Sequence, residues 1–266
     1  MKKTMEENTR DLVRSKYGEI ARGQSCGCGQ EDSACCYSEV GESYEAIGGY
    51  VPEADLGLGC GLPTEFAGIK EGDTVLDLGS GAGNDVFIAR QETGATGRVI
   101  GVDFTPEMIA LAEANRIKLG FSNIEFRRGE IEHLPVGDSS IDVVISNCVL
   151  NLVPDKEQAF QEIFRVLKPG GHFCVSDIVL EGVLPEKLRR AAELYVGCVA
   201  GALVRADYME IINQQGFERI EVLKEREIQI PDEELRRYLD AEEIESYRKS
   251  GMRILSVTVR AGRPAC

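Results

Sequence analysis

The sequence predicts an α/β fold built on a doubly wound, mainly parallel sheet. A short apolar run, Val75 to Leu78, ends in a glycine-rich turn, and a helical pattern begins at Asn84. Strand-like and helix-like segments then alternate as far as Val179, with no internal repeat or low-complexity linker. Alternation of this kind is typical of parallel strands joined by right-handed crossovers.

The remaining elements follow from apolar patterning and from stop signals. Further strands are predicted at 97–103, 123–128, 142–146, 173–179, 217–230 and 254–260, and helices at 84–92, from 105, and at 158–167, 185–203, 205–215 and 232–250. Thr105 is expected to cap its helix, with Pro106 at the first position. We divide the chain into an N-terminal helix and cysteine-rich loop (1–49), a core (50–180) and a small C-terminal α/β part (181–266).

Composition excludes several classes of function. The chain has 266 residues, of which 43% are hydrophobic, enough for one large domain or one domain with an appendage. No apolar run approaches the ~20 residues of a membrane span, and MKKTMEENTR lacks the apolar core of a signal peptide. A cytoplasmic protein without a membrane partner is therefore expected. The net charge of −15 disfavours nucleic acid as a partner, because phosphates would be repelled.

The glycine-rich turn has the spacing D-x-G-x-G-x-G, from Asp77 to Gly83, rather than the G-x-G-x-x-G of a dinucleotide site. A strand, a tight turn and a helix N-terminus together can direct backbone N–H groups at a ligand. The motif resembles the cofactor loop of class I methyltransferases, which use S-adenosylmethionine (AdoMet). The resemblance implies a Rossmann-like fold in which Asp77, Gly79 and Gly81 hold the methionine part of AdoMet.

The ends of the other predicted strands supply further candidates, because ligands of such sheets lie beyond the carboxyl ends of the strands. Asp103, about twenty residues after the glycine loop, is placed to accept the ribose hydroxyls, and Phe104 follows it. Glu130 and Ile131 are candidates for the adenine pocket, and Asn147 for the amino-acid end of the cofactor through its backbone carbonyl. The alternatives are a helix-capping or surface carboxylate at Asp103, turn residues at Glu130 and Ile131, and a loop residue at Asn147.

Nine cysteines in a reduced compartment point to metal binding, redox chemistry or catalysis. The loop 23–41 holds Cys26, Cys28, Cys35 and Cys36, but their spacing is not that of a zinc knuckle. Neither histidine lies in a ligand-spaced motif. We therefore predict no resident metal, and we expect no histidine-based triad.

Three separated cysteine contexts carry a more specific resemblance: GLGCGLP around Cys60, ISNCVLNLVPDK around Cys148 and GCVAGAL around Cys198. They resemble the arsenite methyltransferase family, whereas the segment EIFRVLKPGG is common to many class I methyltransferases. The resemblance runs from the N-terminal loop to about residue 230. It implies AdoMet-dependent methylation of trivalent arsenic, as arsenite or an arsenic–thiol complex, for detoxification.

The chemistry of arsenic agrees with this assignment. Trivalent arsenic is a soft centre, and thiolates are the side chains that select soft ions. Three sulfur ligands, expected from Cys60, Cys148 and Cys198, leave the arsenic lone pair free to attack the methyl group without a general base. The resemblance further implies that cysteines restore trivalent arsenic by forming a disulfide, which thioredoxin or glutathione then reduces. Cys36 is the expected partner of Cys60, with Cys35 as the alternative.

Other interpretations remain open for these residues. Cys148 and Cys198 could be packing residues, since buried cysteine is common, and Cys174, inside a predicted strand, is expected to be one. A methyltransferase acting on a quinone or another small organic acceptor would not depend on Cys148 and Cys198. A thiol protein that binds a metalloid without turnover would not need AdoMet.

Overall fold

The computed structural model describes residues 13–15, 17–23, 42–188 and 201–265. Its strands are β1 (Thr74–Leu78), β2 (Arg98–Asp103), β3 (Ile124–Arg128), β4 (Ile141–Asn147), β5 (Leu167–Glu181), β6 (Glu218–Ile228) and β7 (Arg253–Gly262). Its helices are α1 (Pro63–Ala67), α2 (Asn84–Thr93), α3 (Pro106–Leu119), α4 (Lys156–Val166), α5 (Arg205–Gln214), α6 (Asp232–Leu235) and α7 (Ala241–Lys249). Among the described residues, no helix is long and apolar enough to cross a membrane.

The seven strands form one sheet in the order β3-β2-β1-β4-β5-β7-β6. Strands β1 to β5 run parallel, whereas β7 lies antiparallel between β5 and β6. Strand order reverses between β1 and β4, which makes a switch point where ligands of doubly wound sheets bind. The predicted doubly wound α/β fold is confirmed. Because β5 and β7 pair over ten residue positions, from His172 to Glu181, the sheet also runs across the expected boundary at residue 180.

Apolar residues cover both faces of the sheet. Because the central strands are buried on both sides, their sequences are nearly continuous apolar runs. On one face, Phe160 of α4 and Tyr208 of α5 meet edge to face with ring centroids 5.7 Å apart. On the other face, Phe87 of α2 packs edge to face against Phe126 of β3, with ring centroids 6.2 Å apart. This two-sided burial holds the carboxyl ends of β1, β2 and β4 in fixed relative positions.

Two elements differ from the sequence prediction. The expected helix at 232–250 is two helices, because Asp240 starts the second one with a capping box: Asp240 Oδ1 accepts from the Glu243 amide at 2.9 Å, and Glu243 Oε2 accepts from the Asp240 amide at 3.0 Å. Strand β5 begins at Leu167 rather than at Phe173, since Leu167 already pairs with Ile141 before an irregularity in the ladder.

The start of α3 agrees only in part with its prediction. Pro106 occupies the first helical position, and Thr105 precedes it with an extended backbone. Thr105 is the N-cap residue, as predicted, but its side chain makes no capping hydrogen bond. The Thr105 amide instead donates to Asp103 Oδ1 at 2.8 Å, which fastens the helix start to the end of β2.

Candidate active site

The carboxyl ends of β1, β2 and β4 open into one cavity, as expected for neighbouring parallel strands. Its wall includes the residues that the sequence nominated for the cofactor together with one nominated cysteine: Asp77, Gly79, Gly81, Asp103, Phe104, Glu130, Ile131, Asn147 and Cys148. The wall also includes Val13 and Tyr17 from the N-terminal helical segment. The fold therefore brings all the nominated cofactor residues to one place, while their individual roles stay predictions.

Three backbone amides of the glycine loop donate hydrogen bonds to other parts of the protein. The amides of Gly79 and Ser80 donate to the Val102 carbonyl at 2.8 and 3.0 Å, and the Gly81 amide donates to Asp103 Oδ2 at 3.0 Å. The expectation that the loop directs its N–H groups at a ligand is thus wrong for these three residues. Because a pyrophosphate binds through such N–H groups, these three amides are poorly placed to hold one.

Close packing requires glycine at position 79. Its φ is 68°, in the left-handed region that glycine adopts without strain. A Cβ atom at Gly79 would lie 2.4 Å from Cγ2 of Val149, which follows β4. The glycine therefore allows the loop after β1 to approach the chain after β4, and this approach shapes the cavity.

The cavity is acidic. Asp77, Asp85 and Asp103 are 3%, 8% and 8% exposed. Burial raises the pKa of Asp85 to about 6, and burial followed by repulsion from Asp85 and Asp103 raises the pKa of Asp77 well above its usual range. Burial also raises the pKa of Asp103, against the effect of hydrogen bonds from Thr105 and Gly81. No lysine or arginine lines the described wall, so the cavity favours a cation over a phosphate-bearing ligand.

Two buried thiols lie at the same end of the sheet. Cys148 follows β4 and Cys60 precedes α1, and both belong to one apolar cluster. They are 3% and 0% exposed. The Cys148 amide donates to the Ser176 carbonyl at 2.8 Å, and the Cys60 amide donates to Asn147 Oδ1 at 3.0 Å. Both cysteines are therefore anchored by their backbones beside the acidic cavity.

Comparison with known proteins decides the family. The model of a methyltransferase domain matches residues 69–216. An arsenite methyltransferase from Halobacterium salinarum is 43% identical over 97% of this chain and 68% of its own length. The chain belongs to the arsenite methyltransferase family. A human arsenite methyltransferase is 38% identical over 68% of the chain and 50% of its own length. The chain thus matches from 50% to 68% of the length of these two relatives.

A solved structure of the arsenite methyltransferase family agrees with the fold. The arsenic(III) S-adenosylmethionine methyltransferase from Chlamydomonas reinhardtii is 39% identical, with a TM-score of 0.63 over 74% of this chain and 65% of that one. Members of this family use AdoMet, which carries a cationic sulfonium and an ammonium group. The acidic cavity suits both charges. Its wall also holds buried oxygen atoms without a hydrogen-bond partner in the described part of the chain, among them Ser80 Oγ and Asp85 Oδ1.

Two further residues of this wall, Tyr44 and Asp85, are not indicated by any sequence motif. The Tyr44 hydroxyl donates to Asp85 Oδ2 at 3.1 Å, and both side chains are buried. In the sequence, Asp85 is an ordinary acidic residue in the first turn of a helix, where its negative charge interacts favourably with the helix dipole. Tyr44 lies 41 residues away, so no local pattern connects the two.

A second buried polar pair lies near the thiols. The Tyr208 hydroxyl donates to Asp177 Oδ2 at 3.3 Å. Burial raises the pKa of Tyr208, as do the charge of Asp177 and, to a smaller extent, Cys60 and Cys148. Burial also raises the pKa of Asp177 to about 7, against the attraction of Lys156. No sequence pattern indicated this pair, because Asp177 lies within an apolar strand.

The other cysteines divide into two groups. Cys174 is completely buried inside β5, where burial raises its pKa to about 12, and the structure agrees with the expected packing role. Cys36 and Cys198, the predicted redox partner and third arsenic ligand, lie outside the described residues, as do Cys26, Cys28, Cys35 and Cys266.

Proposed function

We propose that the protein transfers the methyl group of AdoMet to trivalent arsenic bound by cysteine thiolates, giving methylated arsenic and S-adenosylhomocysteine. The observation that supports this most directly is the pair of buried thiols, Cys60 and Cys148, anchored beside an acidic cavity at the strand ends. The substrate is arsenite or its thiol complex, and the biological role is detoxification of arsenic in the cytoplasm.

The cavity residues bind the cofactor in this proposal. AdoMet supplies an electrophilic methyl group on a positively charged sulfur. Asp77 and the glycines at 79 and 81 surround its methionine part, with the Asn147 carbonyl at the amino-acid end. Asp103 accepts hydrogen bonds from the ribose, while Phe104, Glu130 and Ile131 enclose the adenine. The excess of carboxylates offsets the cationic charge that AdoMet brings into a buried site.

The thiolates hold the arsenic. Cys60 and Cys148 bind it together with Cys198, and three sulfur ligands leave its lone pair free to form the new carbon–arsenic bond. No proton leaves the nucleophile, so no general base is required. Holding both reactants in one orientation lowers the barrier by reducing the entropy lost in the reaction.

A reduction step completes the cycle. Methyl transfer raises the formal oxidation state of arsenic by two, and two cysteine thiols return the electron pair by forming a disulfide. Cys60 and Cys36 are the proposed pair, with Cys35 as the alternative to Cys36. Thioredoxin or glutathione then reduces the disulfide by thiol exchange, which regenerates both thiols.

The proposal is tested by incubating the purified protein with arsenite, AdoMet and a thiol reductant, and then separating the arsenic species. We expect methylated arsenic from the wild-type protein and from Cys174→Ser, whose thiol packs inside β5 away from the cavity. Cys60→Ser and Cys148→Ser should each abolish the product. If both variants methylate arsenic at the wild-type rate, the thiols are not its ligands. Arsenite binding without AdoMet affinity in calorimetry would instead indicate a sequestering protein.

A further inference from the structure

Asn147 immediately precedes Cys148, but its side chain contacts the loop that carries the other thiol. Asn147 Oδ1 accepts from the amides of Cys60 and Gly61 at 3.0 and 3.3 Å. Asn147 Nδ2 donates to the Gly61 carbonyl at 2.8 Å. One primary amide thus satisfies donors and an acceptor of the same loop, which a side chain with only donors or only acceptors could not do.

The same side chain also contacts the wall of the cofactor cavity. Asn147 Nδ2 lies 3.2 Å from Asp85 Oδ2, which also accepts from the Tyr44 hydroxyl at 3.1 Å. The other oxygen of Asp85 is buried and has no hydrogen-bond partner within the described residues. Asn147 therefore connects the loop of Cys60 to a carboxylate of the acidic cavity.

Packing around the loop leaves little room for a different arrangement. A Cβ atom at Gly59 would lie 2.7 Å from Asn147 Nδ2, and one at Gly61 would lie 2.7 Å from Ser176 Oγ. The Cys60 carbonyl accepts from Ser256 Oγ at 2.7 Å. The backbone of Cys60 is thus bound on both sides, by Asn147 at its amide and by Ser256 at its carbonyl.

We propose that Asn147 is a positioning residue, whose side-chain amide fixes the loop of Cys60 against the end of β4 so that the two thiols are placed for arsenic before it binds. This inference rests on the proposed function, in which Cys60 and Cys148 are arsenic ligands. A ligand pair that is ordered in advance loses less conformational entropy on binding. The contact with Asp85 extends the same network to the cofactor side.

The first test compares Asn147→Ala with the wild-type protein, using phenylarsine oxide as the probe because this trivalent arsenical binds two thiols. Loss of the buried hydrogen bonds should weaken its binding about tenfold in calorimetry. AdoMet affinity should change less, since the backbone carbonyl of Asn147 remains. Alkylation of Cys60, followed by peptide mass spectrometry, should become faster, while that of Cys174 stays unchanged.

Asn123→Ala is the matched control. The Asn123 amide also joins loop backbone, donating to the carbonyls of Gly94 and Gly97 at 3.0 Å each, but it does so far from the cavity. We expect this variant to bind phenylarsine oxide as the wild-type protein does. If Asn147→Ala behaves in the same way, the inference is wrong while the proposed function stands. If the wild-type protein itself binds no phenylarsine oxide, the proposed function is wrong.

A second variant, Gly59→Ala, tests the inference without relying on Asn147→Ala alone, which could fail to fold. Gly59→Ala introduces a Cβ atom whose three nearest neighbours all belong to Asn147. It should weaken arsenical binding in the wild-type background and have little further effect in Asn147→Ala, since the clash is then absent. Additive losses in this double-mutant cycle would show that the two residues act independently, which contradicts the inference.

Discussion

The backbone amide of Cys148 donates to the carbonyl of Ser176 at 2.8 Å, and Cys148 has a φ of 60°. This hydrogen bond continues the pairing of β4 with β5 one residue beyond the end of β4. The left-handed conformation is unfavourable for a residue with a Cβ atom. Strain of this kind concentrates at functional sites, where the surrounding structure maintains it. At Cys148 it coincides with a proposed arsenic ligand.

We first predict that Cys148→Gly is more stable than Cys148→Ala. Both variants lose the thiol and should lose arsenic binding, but only glycine adopts a positive φ without strain. The difference in the free energy of unfolding should be about 1 kcal/mol in favour of glycine, measured by urea denaturation. An alanine variant as stable as the glycine variant would mean that this backbone conformation stores no strain.

We next predict that AdoMet binding releases protons near the raised pKa of Asp85, which is about 6. In the free protein the Asp85 carboxyl is partly protonated at that pH, and a bound cation favours its ionised form. AdoMet affinity should therefore rise as pH increases through this value. Calorimetry in buffers of different ionisation enthalpy measures the protons released. Asp85→Asn should release fewer, and an unchanged release would assign the protons to other groups.

A third prediction concerns Asp177 and stability. Its pKa is about 7 in the folded protein and 3.8 ordinarily, so the folded state binds more protons between these values. The free energy of unfolding should then fall as pH rises through this window. Asp177→Asn should make the decrease in Tm between about pH 5 and about pH 8 smaller. The other buried carboxyl groups with a raised pKa, among them Asp77, Asp85 and Asp103, contribute to the decrease that remains.

Asp232→Asn serves as the control for this pH dependence. A hydrogen bond from Arg248 lowers the pKa of Asp232, so that residue stays ionised throughout the same window. Its substitution should leave the change in Tm with pH as it is in the wild-type protein. If Asp177→Asn has the same pH dependence as this control, the Asp177 carboxyl does not titrate in the window.

The fourth prediction compares two glycines with nearly equal φ. Gly79 (68°) lies against Val149, whereas a Cβ atom at Gly120 (72°), which follows α3, would have no described atom within 4 Å. Both alanine variants strain the left-handed backbone, but only Gly79→Ala also displaces Val149 in the cavity wall. Calorimetry should show weaker AdoMet binding for Gly79→Ala and unchanged binding for Gly120→Ala. Equal affinities would mean that the wall tolerates the displacement.

Much of the fold was predictable because its signals are local. The apolar run from Val75 to Leu78, the glycine turn and the helix that follows are close together in the sequence. The apolar run corresponds to β1 and the helical pattern to α2. The capping box at Asp240 is equally local, but the long charged segment around it favours the prediction of a single helix. The early start of β5 was not predictable from its own residues, since it depends on the pairing of Leu167 with Ile141.

The cavity was predictable in outline for a different reason. In a parallel sheet, the residues after neighbouring strands must converge, so Asp77, Asp103 and Asn147 could be assigned to one site from their positions alone. Asp85 and Tyr44 could not, because their contact depends on how the segment before β1 packs against α2. The hydrogen bonds donated by the amides of Gly79 and Ser80 could not be predicted from the sequence either, because the Val102 carbonyl that accepts them belongs to another strand.

Local sequence was enough to establish the order of strands and helices, the glycine turn and the residues at the strand ends, since these depend on short-range backbone preferences and on the alternation of apolar residues. The folded arrangement alone establishes that the Asn147 side chain holds the loop of Cys60. Those residues are 87 positions apart, and their hydrogen bond exists only once the segment before α1 has packed against the finished sheet. Apolar patterning specifies that such a segment is buried, but the partner of each buried polar atom depends on the final packing.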